Sequence, residues 1–164
     1  EKMSLIGIIA KKKDIKEIKN NLDIVYEVIE INNKSIENLK NIKFEQIIIN
    51  KDLALNKQEE EYIKKLINTT KYIIINADIN IQILNNIEID KPLKIITYGF
   101  NSKSTISISS VKEDYIILSI QREIEKLNNE KIENQEKKIE LIKGENNNIY
   151  IKIIKFIIKE LHNF

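Results

Sequence analysis

Four short polar stretches hold the side chains that could do chemistry: Lys11-Lys12-Lys13, Asn50-Lys51-Asp52, Asn76-Ala77-Asp78 and the run from Tyr98 to Lys103. Each follows an apolar run, and in open α/β sheets ligands bind beyond the carboxyl ends of such strands. Asp52, Asn76, Asp78, Tyr98, Asn101 and Lys103 would together offer donors and acceptors to a small polar ligand. Asp78 and Lys103 could act as an acid/base pair. Asp52 with Asp78 could attract a divalent cation, although magnesium usually also takes substrate phosphate. The same residue types are what turns and helix caps require. The six residues are therefore read as a ligand-binding set, with no catalytic residue, no metal site and no cofactor expected.

Three further features carry weaker signals. Phe100-Asn101-Ser102-Lys103-Ser104-Thr105 combines an amide, a lysine and three hydroxyls. It could hold a carboxylate or phosphate, or form a turn leading into a strand with a polar outer face. Arg122 is the only arginine in a chain with 27 basic residues. A bidentate carboxylate contact would explain an arginine there, and an ion pair with Glu133, Glu136 or another acid is the plainer role. His162, the only histidine, lies near the end of the sequence and is expected to fray.

Composition limits the function classes. Hydrophobic residues make up 42% of 164, enough for one globular core. The 27 basic and 25 acidic residues are interspersed and leave a net charge of +2, so no long-range field steers nucleic acid or an anionic membrane. There is no cysteine, which rules out disulfides and thiolate metal sites within these residues. A single histidine excludes multi-histidine metal centres, and its place near the end of the sequence argues against Ser-His chemistry. No apolar run approaches the ~18 residues that span a bilayer, and the first residues do not resemble a signal peptide. The expected location is cytoplasmic.

The elements that would position these residues alternate. Apolar or alternating runs predict strands at 5–10, 26–31, 44–50, 72–76 and 93–98. Helical spacing predicts helices at 14–22, 33–39 (with Ser35 as cap), 56–68 and 79–87. That order argues for a parallel sheet covered on both faces. The pattern then changes: 104–111, 114–124 and 136–143 read as strands of an antiparallel meander, 125–135 as a polar loop, and 147–161 as an apolar helix capped by Asn146 or Asn147. A single domain over 1–164 is expected. Its residues 1–100 form the β/α part, and 101–164 form the antiparallel strands and closing helix.

Residues 72–160 resemble the later part of the ATP-binding central domain of Mur ligases, which build peptidoglycan peptides. The resemblance rests on Asn76-Ala77-Asp78 after a strand, Thr97-Tyr98-Gly99 on the next, and Gly144-Glu145 leading into Asn146-Asn147-Asn148 before a helix. Ile79 stands where the family has a second aspartate. No histidine stands in the last motif, which in the family contacts the adenine side of ATP. The resemblance implies a three-layer, mostly parallel, Rossmann-like sheet with an antiparallel extension and a C-terminal helix.

A phosphate-binding loop needs glycines so that successive N–H groups can turn toward the ligand, then a lysine and a Ser/Thr for magnesium. The three glycines, Gly7, Gly99 and Gly144, are far apart, and Ala10-Lys11-Lys12-Lys13-Asp14 stands where the loop would be. The family's magnesium-binding residues and its amino-acid-binding C-terminal domain also have no counterpart in these residues. The resemblance thus implies a degenerate relative without ATP-dependent ligase activity: a binding or regulatory module of a bacterial cytoplasm, linked to cell-wall metabolism. Its partner would be a protein or a small polar ligand. The alternatives are an enzyme with a strand-end nucleotide or UDP-sugar site, and a structural domain that forms a homo-oligomer.

Overall fold

A computed structural model describes residues 3–20, 22–23, 25–144 and 148–162. The chain falls into two compact units. The first runs up to Ile75 and includes Ile79–Ile95, and the second comprises Asn76–Asp78 and the chain from Ile96 onward.

In the first unit the elements are β1 (Ser4–Ile9), α1 (Lys12–Lys19), β2 (Tyr26–Glu30), α2 (Ile36–Leu39), β3 (Gln46–Ile49), α3 (Lys57–Thr69) and β4 (Tyr72–Asn76). The strands are parallel in the order β2-β1-β3-β4. Ile9 lies beside Ile49, and Ile47 beside Ile73. These face the apolar side of α3, formed by Ile63, Leu66 and Ile67, in one buried cluster. The residues of opposite parity, Ile6, Ile8, Ile48 and Ile74, are also fully buried. A strand buried on both faces has no polar alternation, which is why these runs read as continuous isoleucine.

α3 has the clearest local cause. Asn56 Oδ1 accepts from Glu59 N at 2.8 Å, and Glu59 Oε1 accepts from Asn56 N at 3.0 Å, a reciprocal capping box. At α2 the expected cap differs. Asn32 Oδ1 accepts from Lys34 N and Ser35 N, while Ser35 Oγ donates back to the Glu30 carbonyl. α1 stops at Lys19 instead of running to residue 22, with Asn20 N shared between the Lys16 and Glu17 carbonyls.

One expected helix is absent: residues 79–87 are irregular, with a turn over 83–86. The carboxylate of Asp52 takes the Gln82 and Ile83 amides at 3.1 and 3.0 Å. Two bonds of the β-turn type follow, Asn85 N to Gln82 O and Ile87 N to Leu84 O. Asn80, Asn85 and Asn86 are weak helix formers and offer the backbone no reason to continue.

The second unit carries β5 (Lys94–Gly99) from Ile96 on, β6 (Ile106–Val111), β7 (Tyr115–Ile120), β8 (Ile124–Glu125), β9 (Lys131–Ile132), β10 (Gln135–Glu140) and α4 (Ile149–His162). β6, β7 and β10 form the expected antiparallel meander, with a register shift between Ile108 and Ser110. β8 and β9 form a small hairpin inside the stretch expected to be a loop. Its turn has Asn129 at φ 68, the left-handed conformation that asparagine tolerates better than most residues.

β5 and β6 are parallel, pairing Tyr98 with Ile106 and Gly99 with Ser107. Parallel neighbours usually need a crossover of a dozen or more residues. Here the overlap is two pairs deep, so the link through residues 100–105 barely has to travel back. The caps expected at Asn146 or Asn147 lie outside the described residues. Asn148 Oδ1 accepts from Tyr150 N at 3.0 Å and caps α4. The helix continues through His162, whose Nδ1 lies 2.9 Å from the Ile158 carbonyl oxygen, so the expected fraying is not seen. Among the described residues no helix is long and apolar enough to cross a membrane.

Candidate strand-end site

The second unit brings Asn76, Asp78, Tyr98, Asn101 and Lys103 into one hydrogen-bonded network. Asn76 Oδ1 accepts from Asp78 N at 2.9 Å, closing a turn that aims the Asp78 side chain. Ala77 N donates to the Tyr98 carbonyl at 2.8 Å. The Asp78 carboxylate then accepts from Phe100 N at 2.7 Å, Asn101 N at 2.9 Å and the Tyr150 hydroxyl at 2.7 Å. Asn101 Oδ1 accepts from Lys103 N, and the Asn101 carbonyl from Ser104 N. The Lys103 side chain is exposed.

Gly99 makes this approach feasible. Its φ is +147°, and a Cβ placed there would lie 2.6 Å from Cγ and from both oxygens of Asp78. The carboxylate rests on the bare Cα of Gly99. Tyr150 stands edge-on to buried Tyr98 and to half-exposed Phe100, with both ring centroids 6.3 Å away.

The 100–105 link is also held from β5 and from the residues just after β7. Gln121 Nε2 donates to the Ser102 and Ser104 carbonyls at 2.7 and 2.8 Å. Thr105 N donates to Thr97 Oγ1, and Thr97 N to Thr105 Oγ1. Arg122 departs from the expected ion pair. Its guanidinium donates to the Lys103 carbonyl and, at 3.4 Å, to Thr105 Oγ1, and among the described residues no carboxylate pairs with it. A planar fork suits two acceptors on one loop better than a lysine would.

The sixth expected residue, Asp52, lies in the first unit, where it binds the amides at 82 and 83. Lys11 precedes α1 with no side-chain cap, and Lys12 and Lys13 are the exposed first residues of that helix.

The electrostatics follow from these contacts. Burial of the Asp78 carboxylate opposes its charge, but the hydrogen bonds from Phe100 N, the Tyr150 hydroxyl and Asn101 N outweigh it and hold its pKa below the ordinary value. Burial, then the bond to Asp78 and its charge, push the Tyr150 hydroxyl up to about 12. Asp78 is thus a firmly ionised acceptor, poorly matched to general-base work near neutrality.

A carboxyl group with a lowered folded pKa stabilises the fold above its unfolded value near pH 4 and loses that contribution as pH falls through the folded value. Asp78→Asn is therefore expected to lower stability at neutral pH and to lower it progressively less in acid. Urea midpoints across that range check this. A difference that does not shrink in acid means the charge of Asp78 is not what matters.

Tyr150, Gly99 and Gln121 are the residues whose part in this network sequence reasoning missed. Tyr150 lies 72 residues from Asp78 and beside the apolar stripe of its helix, so no local spacing marked it. Compared with known proteins, the chain matches no protein-family model and no curated protein. The resemblance to Mur ligases rests on the residues between 72 and 160 alone.

Proposed function

We propose that this chain is a non-catalytic domain on the Mur ligase central-domain plan, acting as a binding or regulatory module linked to bacterial cell-wall metabolism. The motif order Asn76-Ala77-Asp78, Thr97-Tyr98-Gly99 and Gly144 before an apolar helix supports the kinship. The observation that carries the loss of catalysis is the Asp78 carboxylate. Three internal donors occupy it, two of them backbone amides of the loop that a nucleotide would have to approach. The acid that could serve a ligand here anchors a loop.

The segment after β1 agrees. It enters α1 through Lys11 at φ −66° and ψ 146°, with no glycine to turn successive amides toward a phosphate.

Calorimetric titration of the intact chain with Mg-ATP and with UDP-sugars, alongside an ATP turnover assay, tests this reading. The expected outcome is no turnover and no saturable Mg-ATP heat that depends on Asp78. ATP turnover, or a Mg-ATP heat abolished in a folded Asp78→Ala variant, overturns it.

A further inference from the structure

A different polar concavity lies in the first unit, near the amino ends of β3 and β4. It is an open cleft of about 450 Å³, within the range typical of small-molecule sites. Lys40 and Lys43 reach it from the turn between α2 and β3, and Lys64 and Lys65 from α3. Glu61 and Asp90 are the two acids on its wall, leaving cations in excess.

The pairing of these cations is thin. Lys64 is 3.8 Å from Glu88, at the long end of ion-pair distances. Lys40 lies 5.0 Å from the centroid of the Tyr62 ring. Among the described residues Lys43 and Lys65 have no partner. Glu61 and Lys65 stand four apart on α3, the spacing that usually pairs them, yet no ion pair joins them.

The cleft wall is nevertheless built firmly. Asn68 Nδ2 donates to the Lys64 and Glu88 carbonyls, and Asn68 Oδ1 accepts from Asp90 N at 2.7 Å. This amide ties the 88–90 segment to the end of α3, so Asp90 and Lys64 are held on one surface.

Lys43 and Lys65 are exposed and Lys40 and Lys64 half-buried, and four cations around one open cleft repel one another and raise the local positive potential. An oxyanion relieves that repulsion, while Glu61 and Asp90 can accept from hydroxyl groups but repel a second anion. We propose that this cleft binds a small phosphate-bearing polyol of the sugar-phosphate class, its phosphate on Lys43 and Lys65 with Lys40 and Lys64 flanking, and its hydroxyls donated to Glu61 and Asp90. The site is independent of Asp78 and of the strand-end reading above.

Calorimetric titration of the intact protein at low salt with a hexose phosphate, the free hexose and sulfate tests the assignment. Saturable binding of the hexose phosphate is expected, with none of the free hexose and weaker binding of sulfate. A Lys43→Gln/Lys65→Gln variant is expected to weaken it about tenfold. A Lys34→Gln/Lys57→Gln variant, with the same loss of charge on exposed residues of the same unit, is expected to leave it unchanged. Circular dichroism confirms that both variants are folded. No saturable binding, sulfate binding as tight as the hexose phosphate, or equal loss in both double variants overturns the proposal.

Discussion

Replacing Gly99 with alanine is expected to destabilise the protein by about 2–4 kcal/mol. Two penalties combine. At φ +147° an L-residue is strained, and the new Cβ would lie 2.6 Å from the Cγ and both oxygens of Asp78. The carboxylate cannot step aside without releasing Phe100 N, Asn101 N and the Tyr150 hydroxyl. Asp78→Ala alone is expected to cost less, roughly 1–2 kcal/mol, because water can reach the donors it leaves behind.

The double variant separates the two penalties. With the carboxylate gone the clash disappears and only the backbone strain remains, so the double variant should lose clearly less than the sum of the two single losses. Urea unfolding of the four proteins measures this directly. Strict additivity would mean that Gly99 is needed for its conformation alone and that Asp78 does not press on it.

Replacing Phe44 with alanine is expected to cost about 3–5 kcal/mol. Phe44 is fully buried in the first unit, in the cluster that also holds Ile31, Leu39 and Ile47. Its ring lies against Gly7 of β1: a Cβ there would be 3.3 Å from both Cδ1 and Cδ2 of the ring and 2.6 Å from Ile31 Cδ1. The absent side chain at position 7 is filled by the phenyl ring and the end of Ile31. Gly7→Ala should therefore cost stability in the wild-type protein, chiefly through its contact with the end of Ile31, and less when Phe44 is alanine, since the space the ring leaves lets Ile31 move away. Denaturant midpoints for the pair of single variants and the double give the coupling. A cost below about 1 kcal/mol for Phe44→Ala would show that the surrounding isoleucines collapse into the space.

The strands of the first unit were legible because the chain states them locally. Ile6, Ile8 and Ile9, and the run Ile47-Ile48-Ile49, are continuous apolar segments of strand length, and strands buried on both faces need nothing else. α3 was legible because its cap lies three residues from its partner. The stretch 79–87 was misread because Ile79, Ile83 and Ile87 recur at helical spacing. The decisive contact, Asp52 to the amides at 82 and 83, comes from 30 residues away. The β8–β9 hairpin was missed because two-residue strands leave no periodicity to detect.

By itself the sequence determined the α/β class, the antiparallel extension, the terminal helix and the kinds of side chain gathered after the strands, because each depends on neighbours a few residues apart. Only the tertiary structure decided what those side chains do. Asp78 could have been an acid awaiting a ligand. It became the anchor of the 100–105 link because its partners arrive from 22, 23 and 72 residues along the chain. Arg122 could have met a carboxylate, and it meets a loop carbonyl and a threonine instead. The lysine cleft depends on the same kind of long-range placement. Its cations look like ordinary surface charges in the sequence, and they form a concavity only when the turn after α2 is set beside the end of α3.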